Sequence, residues 1–447
     1  MNILIITNDL LSERMASPAI RCWEISRVLG KHFETTLACS NKTLMKHENF
    51  RVESFQGNSS KLSSIASEHD VIIIHPYTLS IYPVLSELGK ILVMDLYAPF
   101  ILEKLETYDE TPLDERLYTH SKDSRGLIEQ VSSCDYFLCA SSIQKRFWYG
   151  MLSNLFPSIE MKDRIIIIPF GLPEDKPVQH ERPLAKRVKN DGDFLLIWGG
   201  GIWNWFDTKV IIDGMKVIKG KRPDIKIFFM SAKHPHPAMP SSQHRLLNWT
   251  IKEAENSELL GKNIFFNDKW IPYNDRCNFL LEADAGLSCH HNHLETRFSF
   301  RTRLLDYIWC NLPMICTEGD SISRIVHERM LGFTIPESDP DAFVESVIEM
   351  TDSKEKYGIF KRNLDELAPE FYWETCVKPL LDSIENFTPK SISFSNIDDL
   401  DKYIYLEPKG RRIQSADNRF KTELNRMKNE GFSYMRNILT RARGRSQ

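Results

Sequence analysis

The sequence lacks the features of a disulfide-stabilised or membrane-spanning protein. Its nine cysteines form no C-x-x-C pair, and an odd number does not suit a complete disulfide framework, so we expect free thiols in a reducing compartment. No apolar run reaches the roughly 18 residues that a transmembrane helix requires. The first residues, MNILIITNDLLSERM, have no basic region and no small-residue cleavage site, and are typical of a first β-strand. We therefore expect a cytoplasmic protein.

Composition and charge describe a folded body with a separate tail. Glycine (20) and proline (22) are ordinary in number for 447 residues, which excludes a fibrous or low-complexity protein, and 42% apolar residues predict a packed core. Residues 401–447 carry 12 Lys/Arg and 5 Asp/Glu, a charge of +7, so the rest of the chain carries −11 of the total −4. An acidic body with a basic tail indicates a separate role for the tail. We predict no nucleic-acid partner.

Short apolar runs alternate with helical patterns through most of the chain. Nearly continuous Ile, Val and Leu predict strands that are covered on both faces, as in a parallel sheet. The first series of predicted strands is 2–7, 35–40, 70–76, 91–97, 135–141 and 164–171, and the second series is 194–201, 225–231, 263–268, 285–290 and 313–318. The fold class predicted is therefore α/β, with two doubly wound Rossmann-like domains that bind ligand at the carboxyl ends of their strands.

The predicted domain boundaries follow from the same pattern. A polar, proline-containing linker separates the two series, and an apolar helical segment closes the second. The predicted parts are an N-terminal domain (1–171), a linker (172–192), a C-terminal domain (193–370), a closing helix (371–387) and a basic amphipathic tail (388–447).

Three glycines follow the first strand of the second series, in WGGGIWNWFD. Glycine lets the backbone approach a ligand closely, and a following helix offers free N–H groups, so this turn is a candidate phosphate site. The G-x-G-x-x-G dinucleotide fingerprint is absent. Candidate donor-binding residues are Gly200, Gly201 and Trp203, and Lys233, beyond a later strand, would neutralise a phosphate. A tight structural turn and a solvated loop lysine are the alternatives.

The segment HLETRFSFRTRLLDYIWCNLP (293–313) places charged residues on a predicted apolar helix. If the helix begins near Phe298, Arg301 and Arg303 lie in its first turns, where two guanidiniums can bind a diphosphate. Asp306 lies one turn deeper, where a carboxylate accepts hydrogen bonds from a ribose diol. An internal Arg303–Asp306 pair on a solvated face is the alternative. The polar stripe at helical spacing comprises Ser299, Arg303, Asp306 and Cys310, and its first three residues, with Arg301, are candidate donor-binding residues.

The sequence HHNH (290–293) is the main candidate for a metal site. Its spacing fits no usual zinc pattern, and no Cys or carboxylate partner is placed beside it by the sequence. We therefore predict no metal ligand here and interpret these histidines as polar loop residues near a site.

Polar residues also follow two strands of the first series. The loop SERMASPAIR (12–21) opens a helix, and Ser17 and Arg21 are candidate acceptor-binding residues. Asp95 ends a later strand, where it would act as a catalytic base or polarise a hydroxyl. A helix cap or a buried structural carboxylate is the alternative for Asp95.

These stretches together resemble the GT-B glycosyltransferases, in particular glycosyltransferase family 4. The resemblance covers residues 1–387 and rests on the two-domain layout, WGGGIWNWFD and the 293–313 segment. RMASPAIR, DLYAPFILE, PFGLP and ETRFSFRTRLLDY are similar to a bacterial subgroup linked to cell-surface polysaccharide assembly, which includes lipopolysaccharide. The resemblance implies a metal-independent, retaining hexosyltransferase. The donor is a nucleoside diphosphate sugar, the acceptor is a glycan or lipid-linked, and no other cofactor is needed.

The resemblance also implies roles for carboxylates. Asp306 takes the place of the family's ribose-binding glutamate. The family's other glutamate lies eight residues earlier, where this chain has Phe298, so Glu295 is the candidate catalytic carboxylate. Asp95 replaces the family's first-domain histidine, and His75, one strand earlier, is the second choice.

Phosphate neutralisation is also placed differently from the family pattern. Gly201 and Phe206 stand where the family has Arg and Lys. The resemblance therefore moves this role to Arg301, Arg303 or Lys233.

The tail and the function each keep alternatives. Residues 419–443 predict a basic amphipathic helix whose contact is an anionic membrane surface, the body of the protein or a partner enzyme. A membrane contact would make the protein peripheral on the inner face of the cell membrane. The other candidate functions are a nucleotide-sugar epimerase of the same fold and a non-catalytic nucleotide-sugar-binding scaffold in a polysaccharide assembly complex.

Overall fold

The computed structural model describes residues 1–107, 112–153, 155–156, 158–230, 244–267 and 269–390. Lys233 and the 419–443 segment of the tail lie outside these residues. All nine cysteines lie within them, and each is free and buried. Met1–Ser395 form one compact unit. In the described part of the chain, no helix is both long and apolar enough to cross a membrane.

The first lobe, residues 1–171, is built on a parallel sheet. Seven strands in the described residues have the order β3-β2-β1-β4-β5-β6-β7. Ile3, Leu4 and Ile6 of the central strand have no exposed surface, because helices cover both faces, as the apolar runs predicted. The strands are β1 (Asn2–Thr7), β2 (Glu34–Cys39), β3 (Arg51–Ser54), β4 (Val71–Ile74), β5 (Ile91–Asp95), β6 (Tyr136–Cys139) and β7 (Ile165–Ile167).

The second lobe, residues 193–370, repeats this plan with six described strands. Their order is β10-β9-β8-β11-β12-β13, and every pairing is parallel. The strands are β8 (Phe194–Trp198), β9 (Ile225–Phe229), β10 (Ile264–Phe266), β11 (Ala285–Ser288), β12 (Met314–Thr317) and β13 (Gly332–Ile335). The predicted α/β class with two doubly wound sheets is therefore confirmed.

Helices connect the strands in both lobes. Pro18 lies in the first turn of the first helix, as its fixed φ favours, and Ser141 and Asp320 accept capping hydrogen bonds at later helix starts. The helices of the first lobe are α1 (Ser17–Leu29), α2 (Ser59–Ser67), α3 (Thr78–Ile81), α4 (Phe100–Thr107), α5 (Leu113–Ser133), α6 (Ser142–Leu152) and α7 (Ser158–Arg164). Those that follow are α8 (Thr208–Lys221), α9 (Arg245–Asn256), α10 (Arg276–Leu280), α11 (Leu294–Phe298), α12 (Arg303–Trp309), α13 (Ser321–Glu328), α14 (Pro340–Asp352), α15 (Lys354–Leu367) and α16 (Trp373–Ile384). Short 3-10 helices occupy Pro83–Glu87, Tyr273–Asp275 and Ala368–Phe371.

The closing helix returns to the first lobe. The helix predicted at 371–387 is α16, which packs against α1 and β7. Leu172 N–H donates to Phe371 O at 2.8 Å, and Trp373 N–H donates to Leu172 O at 3.1 Å. The segment that leaves the first lobe at Leu172 and the segment that returns to it before α16 are therefore hydrogen-bonded to each other. The predicted domain boundaries remain a prediction, because the contacts group both lobes in one unit.

Two strands escaped the sequence analysis. Arg51–Ser54 and Gly332–Ile335 are edge strands of four residues with partly exposed positions, so neither has the continuous apolar run that marks a buried strand. Most of the predicted strands also extended one to four residues too far, because the apolar character continues into the loops at the carboxyl edge.

Tyr307 fixes the glycine turn of the second lobe. Its ring packs against Gly286 of β11, where an added Cβ would lie 2.4 Å from Tyr307 Cδ2. Its hydroxyl accepts a hydrogen bond from Gly199 N–H at 2.8 Å and lies 3.0 Å and 2.8 Å from the carbonyl oxygens of Ile197 and Leu287. Because Gly286 has no side chain, the Tyr307 ring can pack against β11. The Tyr307 hydroxyl then holds the turn that begins at Gly199.

We expect Gly286→Ala to lower the free energy of unfolding by about 1–3 kcal/mol, because the new methyl group overpacks a rigid ring. Gly220→Ala in α8 is the control, since nothing lies within 4 Å of its added Cβ, and alanine favours a helix. Urea denaturation measures both variants. Equal stability of the two would contradict this account of the packing.

Candidate donor and acceptor cleft

A cleft of about 510 Å³ lies between the two lobes and is lined by both. Its walls come from the loops that follow β1, β4, β5 and β7 of the first lobe, and from the segments after β8, β9 and β10 and around the start of α12 of the second. These are the carboxyl ends of the strands, where doubly wound sheets bind their ligands.

The glycine turn forms one wall of the cleft. Gly200 has φ of +94°, which only glycine adopts without strain, and Gly199, Gly200 and Gly201 all line the cleft. Trp203 and Trp205 also line it and stack on each other with ring centroids 5.7 Å apart. The structure therefore brings together three of the predicted donor-binding residues: Gly200, Gly201 and Trp203.

The prediction that a helix begins near Phe298 is wrong. α11 ends at Phe298, Ser299 is extended, and α12 begins only at Arg303. The carbonyl of Phe298 accepts a hydrogen bond from Gln144 Nε2 of the first lobe at 2.9 Å, so it is satisfied without a further helical turn. The arginines therefore lie at a break between two short helices and not in the first turns of one long helix.

Arg301 is buried, lines the cleft and is held from behind by Glu295. Its Nη2 donates to Glu295 Oε2 at 2.7 Å, and its Nε, which is shielded from solvent, lies 4.0 Å from Oδ2 of the buried Asp320. Glu295 and Ser299 are buried, bond to each other and do not line the cleft. Both of these predicted site residues thus support Arg301 from the protein interior.

Arg303 is the least compensated charge in the cleft. Its guanidinium lies 4.2 Å from the ring centroids of both Trp198 and Phe206, and Nη2 donates to Gly201 O at 2.9 Å. No carboxylate pairs with it in the described residues, and its shielded Nη1 has no partner there. Burial, with repulsion from Arg301 as a smaller cause, lowers the pKa of Arg303 to about 10.

Asp306 lines the cleft with a partner that the sequence analysis missed. Its Oδ1 accepts from Arg276 Nε at 2.9 Å, so the Arg303–Asp306 pair considered above does not form. Arg276 lies between the rings of Tyr273 and Trp309, 3.8 Å and 4.3 Å from their centroids. Arg276 follows β10 at the carboxyl edge of the sheet, so the rule used for the other candidates would have identified it.

The first-lobe candidates fall into two groups. Ser17 lines the cleft, and its Oγ lies 3.3 Å from Thr302 Oγ1 of the second lobe. Arg21 and Asp95 are buried below the lining and form a bidentate pair, with Nε–Oδ2 of 2.6 Å and Nη2–Oδ1 of 3.1 Å. Because both oxygens of Asp95 bind Arg21, the geometry favours a structural role for this pair over contact with an acceptor.

The histidines are likewise engaged or buried. His75 lies 3.3 Å from Cys22 Sγ, and burial lowers its pKa to about 4, so it is neutral. His293 Nδ1 caps α11, and His290 is fully buried with a pKa that burial lowers. The described residues contain no group of three or more His, Cys, Asp or Glu side chains arranged to hold a metal ion.

No protein-family model and no curated protein sequence matches the chain significantly. Solved structures do resemble it. A sucrose-phosphate synthase from Thermosynechococcus elongatus has a TM-score of 0.61 at 12% identity, over 86% of this chain and 98% of that one. HepE from Anabaena, solved with UDP-glucose, has a TM-score of 0.58 at 12% identity, over 86% and 100%. WaaG, a glycosyltransferase of lipopolysaccharide biosynthesis, has a TM-score of 0.58 at 13% identity, over 87% and 100%.

At this level of identity the likeness concerns the fold, and the fold is GT-B: two doubly wound sheets whose carboxyl edges share a cleft.

Proposed function

We propose that the protein is a glycosyltransferase that moves a sugar from a nucleoside diphosphate sugar to a glycan or lipid-linked acceptor. One observation carries the proposal: Arg301 and Arg303 line the inter-lobe cleft, and Arg303 has no carboxylate partner among the described residues. A diphosphate supplies the negative charge that Arg303 lacks, and charge-assisted hydrogen bonds to phosphate are among the stronger ones. HepE, of the same fold, was solved with UDP-glucose, which makes UDP-sugars the first donors to test.

The other donor contacts follow from the position of the arginines. Asp306 binds Arg276 through Oδ1, which leaves its Oδ2 available to accept from a ribose hydroxyl. Gly200 and Gly201 let the backbone approach the diphosphate. Trp203 and Trp205 offer a flat apolar wall beside it.

The proposed chemistry is a retaining transfer without a metal ion. The bond between the anomeric carbon and the diphosphate oxygen breaks, and the acceptor hydroxyl bonds to the same face of that carbon. Arg301 and Arg303 stabilise the charge that develops on the diphosphate, which takes the acceptor proton. The engagement of both Asp95 oxygens by Arg21 supports a route without that carboxylate as base. Glu295 acts as a positioning residue through Arg301.

A role in surface polysaccharide synthesis belongs to the same proposal. Its support is the sequence resemblance described above and the structural similarity to WaaG. Such an enzyme would work in the cytoplasm, with its basic tail as a candidate contact for the membrane that holds a lipid-linked acceptor.

Arg303→Met should weaken UDP binding at least about 30-fold, because it removes the uncompensated charge that faces the diphosphate. Methionine keeps an apolar chain between Trp198 and Phe206, so the variant should remain folded. Titration calorimetry measures the dissociation constant. Arg297→Met on the exposed side of α11 is the control and should bind like the parent. Unchanged UDP affinity in Arg303→Met would reject the site.

Asp306→Asn should weaken UDP binding about 10-fold but leave inorganic pyrophosphate binding unchanged, because the carboxylate is assigned to the ribose. Arg303→Met should instead weaken both ligands. Titrations of both variants with both ligands therefore distinguish a ribose contact at Asp306 from a phosphate contact at Arg303. Equal losses for both ligands in Asp306→Asn would show that Asp306 acts on the phosphates or on the fold.

Turnover assays distinguish the remaining functions. A transferase releases UDP in proportion to the acceptor that is glycosylated. Conversion of a UDP-sugar without an acceptor would identify an epimerase, and nucleotide binding without any turnover would identify a scaffold.

A further inference from the structure

We infer that the acceptor is an uncharged sugar whose ring packs against the first-lobe wall of the cleft, and not a phosphorylated one. This inference rests on the proposed function and concerns the opposite wall from the arginines. It follows from the distribution of charge and aromatic side chains over the two walls.

Within the part of the chain that the structure describes, the first-lobe wall offers no cation to an anionic acceptor. Among the described lining residues of this lobe there is no Lys, Arg or His, and Glu103 is the only charged one. Arg21, which follows the lining residue Ile20, has no exposed surface, and Asp95 neutralises it through two hydrogen bonds. A phosphate placed against this wall would lose water without gaining a counter-charge.

The positive charge that the described residues bring to the cleft is on the other wall. The described lining cations are Arg276, Arg301 and Arg303, and all three belong to the second lobe. Arg276 is paired with Asp306, and the other two face the proposed diphosphate. An acceptor phosphate could therefore find a counter-charge only at the proposed donor site. A transferase must hold both substrates together, so the acceptor cannot occupy that site.

The same wall carries a cluster of aromatic rings. Tyr97, Phe100 and Phe170 line it, and Tyr97 packs edge-to-face with the other two at centroid distances of 5.0 Å and 5.5 Å. Burial raises the pKa of the Tyr97 hydroxyl, so it stays a neutral donor and acceptor. Flat rings pack against the apolar face of a sugar, and a phenol hydroxyl bonds to its rim.

The test compares matched acceptors on the full-length protein saturated with UDP. The pairs are octyl glycosides of glucose, galactose and N-acetylglucosamine, each with its 6-phosphate, and titration calorimetry measures binding. We expect at least one neutral glycoside to bind at least about 10-fold more tightly than its phosphate. Tighter or equal binding of the phosphates, or binding of no member of any pair, would overturn the inference. Loss of UDP binding itself would instead refute the proposed function.

A designed cation provides the converse test. Ala98 lines the first-lobe wall between Tyr97 and Phe100. Ala98→Lys should raise the affinity for the 6-phosphates about 10-fold relative to Ala98→Met, which adds a side chain of similar length without charge. UDP affinity reports that both variants keep the donor site intact. If the two variants bind the phosphates equally, the wall does not contact the acceptor and the inference fails.

Discussion

The cleft is organised around the positive charge of Arg303, which no described carboxylate neutralises. Glu295 balances Arg301, and Asp306 balances Arg276, but Arg303 has no carboxylate partner among the described residues. A shielded guanidinium without a counter-ion is costly, and evolution usually removes it unless a ligand supplies the missing anion. Under the proposed function, the diphosphate of the donor is the anion that pairs with Arg303.

The fold places this charge by simple geometry. Two parallel sheets turn their carboxyl edges toward one cleft, so every loop that can carry a functional side chain opens on the same space. Tyr307 then locks the glycine turn to β8 and β11 through its hydroxyl. The segment that carries Arg301 and Arg303 contacts that turn through the hydrogen bond from Arg303 Nη2 to Gly201 O. Packing in the core therefore fixes the position of the site.

Much of the fold was readable from local sequence, whereas the pairing of charges was not. Continuous apolar runs identified the buried strands, and only the short edge strands β3 and β13 were missed. The break after Phe298 depends on Gln144, which lies 154 residues away. The pairing of Arg21 with Asp95 spans 74 residues, and no periodicity reveals it. The sequence thus indicated which residues lie at the strand ends, but not which of them form ion pairs with one another.

One buried amide has a consequence for motion. Gln144 donates through Nε2 to the carbonyls of both Tyr97 and Phe298, and its Oε1 accepts from Ala140 N–H. It ties the aromatic wall of the first lobe to the segment that carries the arginines in the second. Drawing the lobes apart would remove this donor from the Phe298 carbonyl. Under the proposed function, the Gln144 hydrogen bonds would therefore resist the opening motion that admits the donor and releases the product.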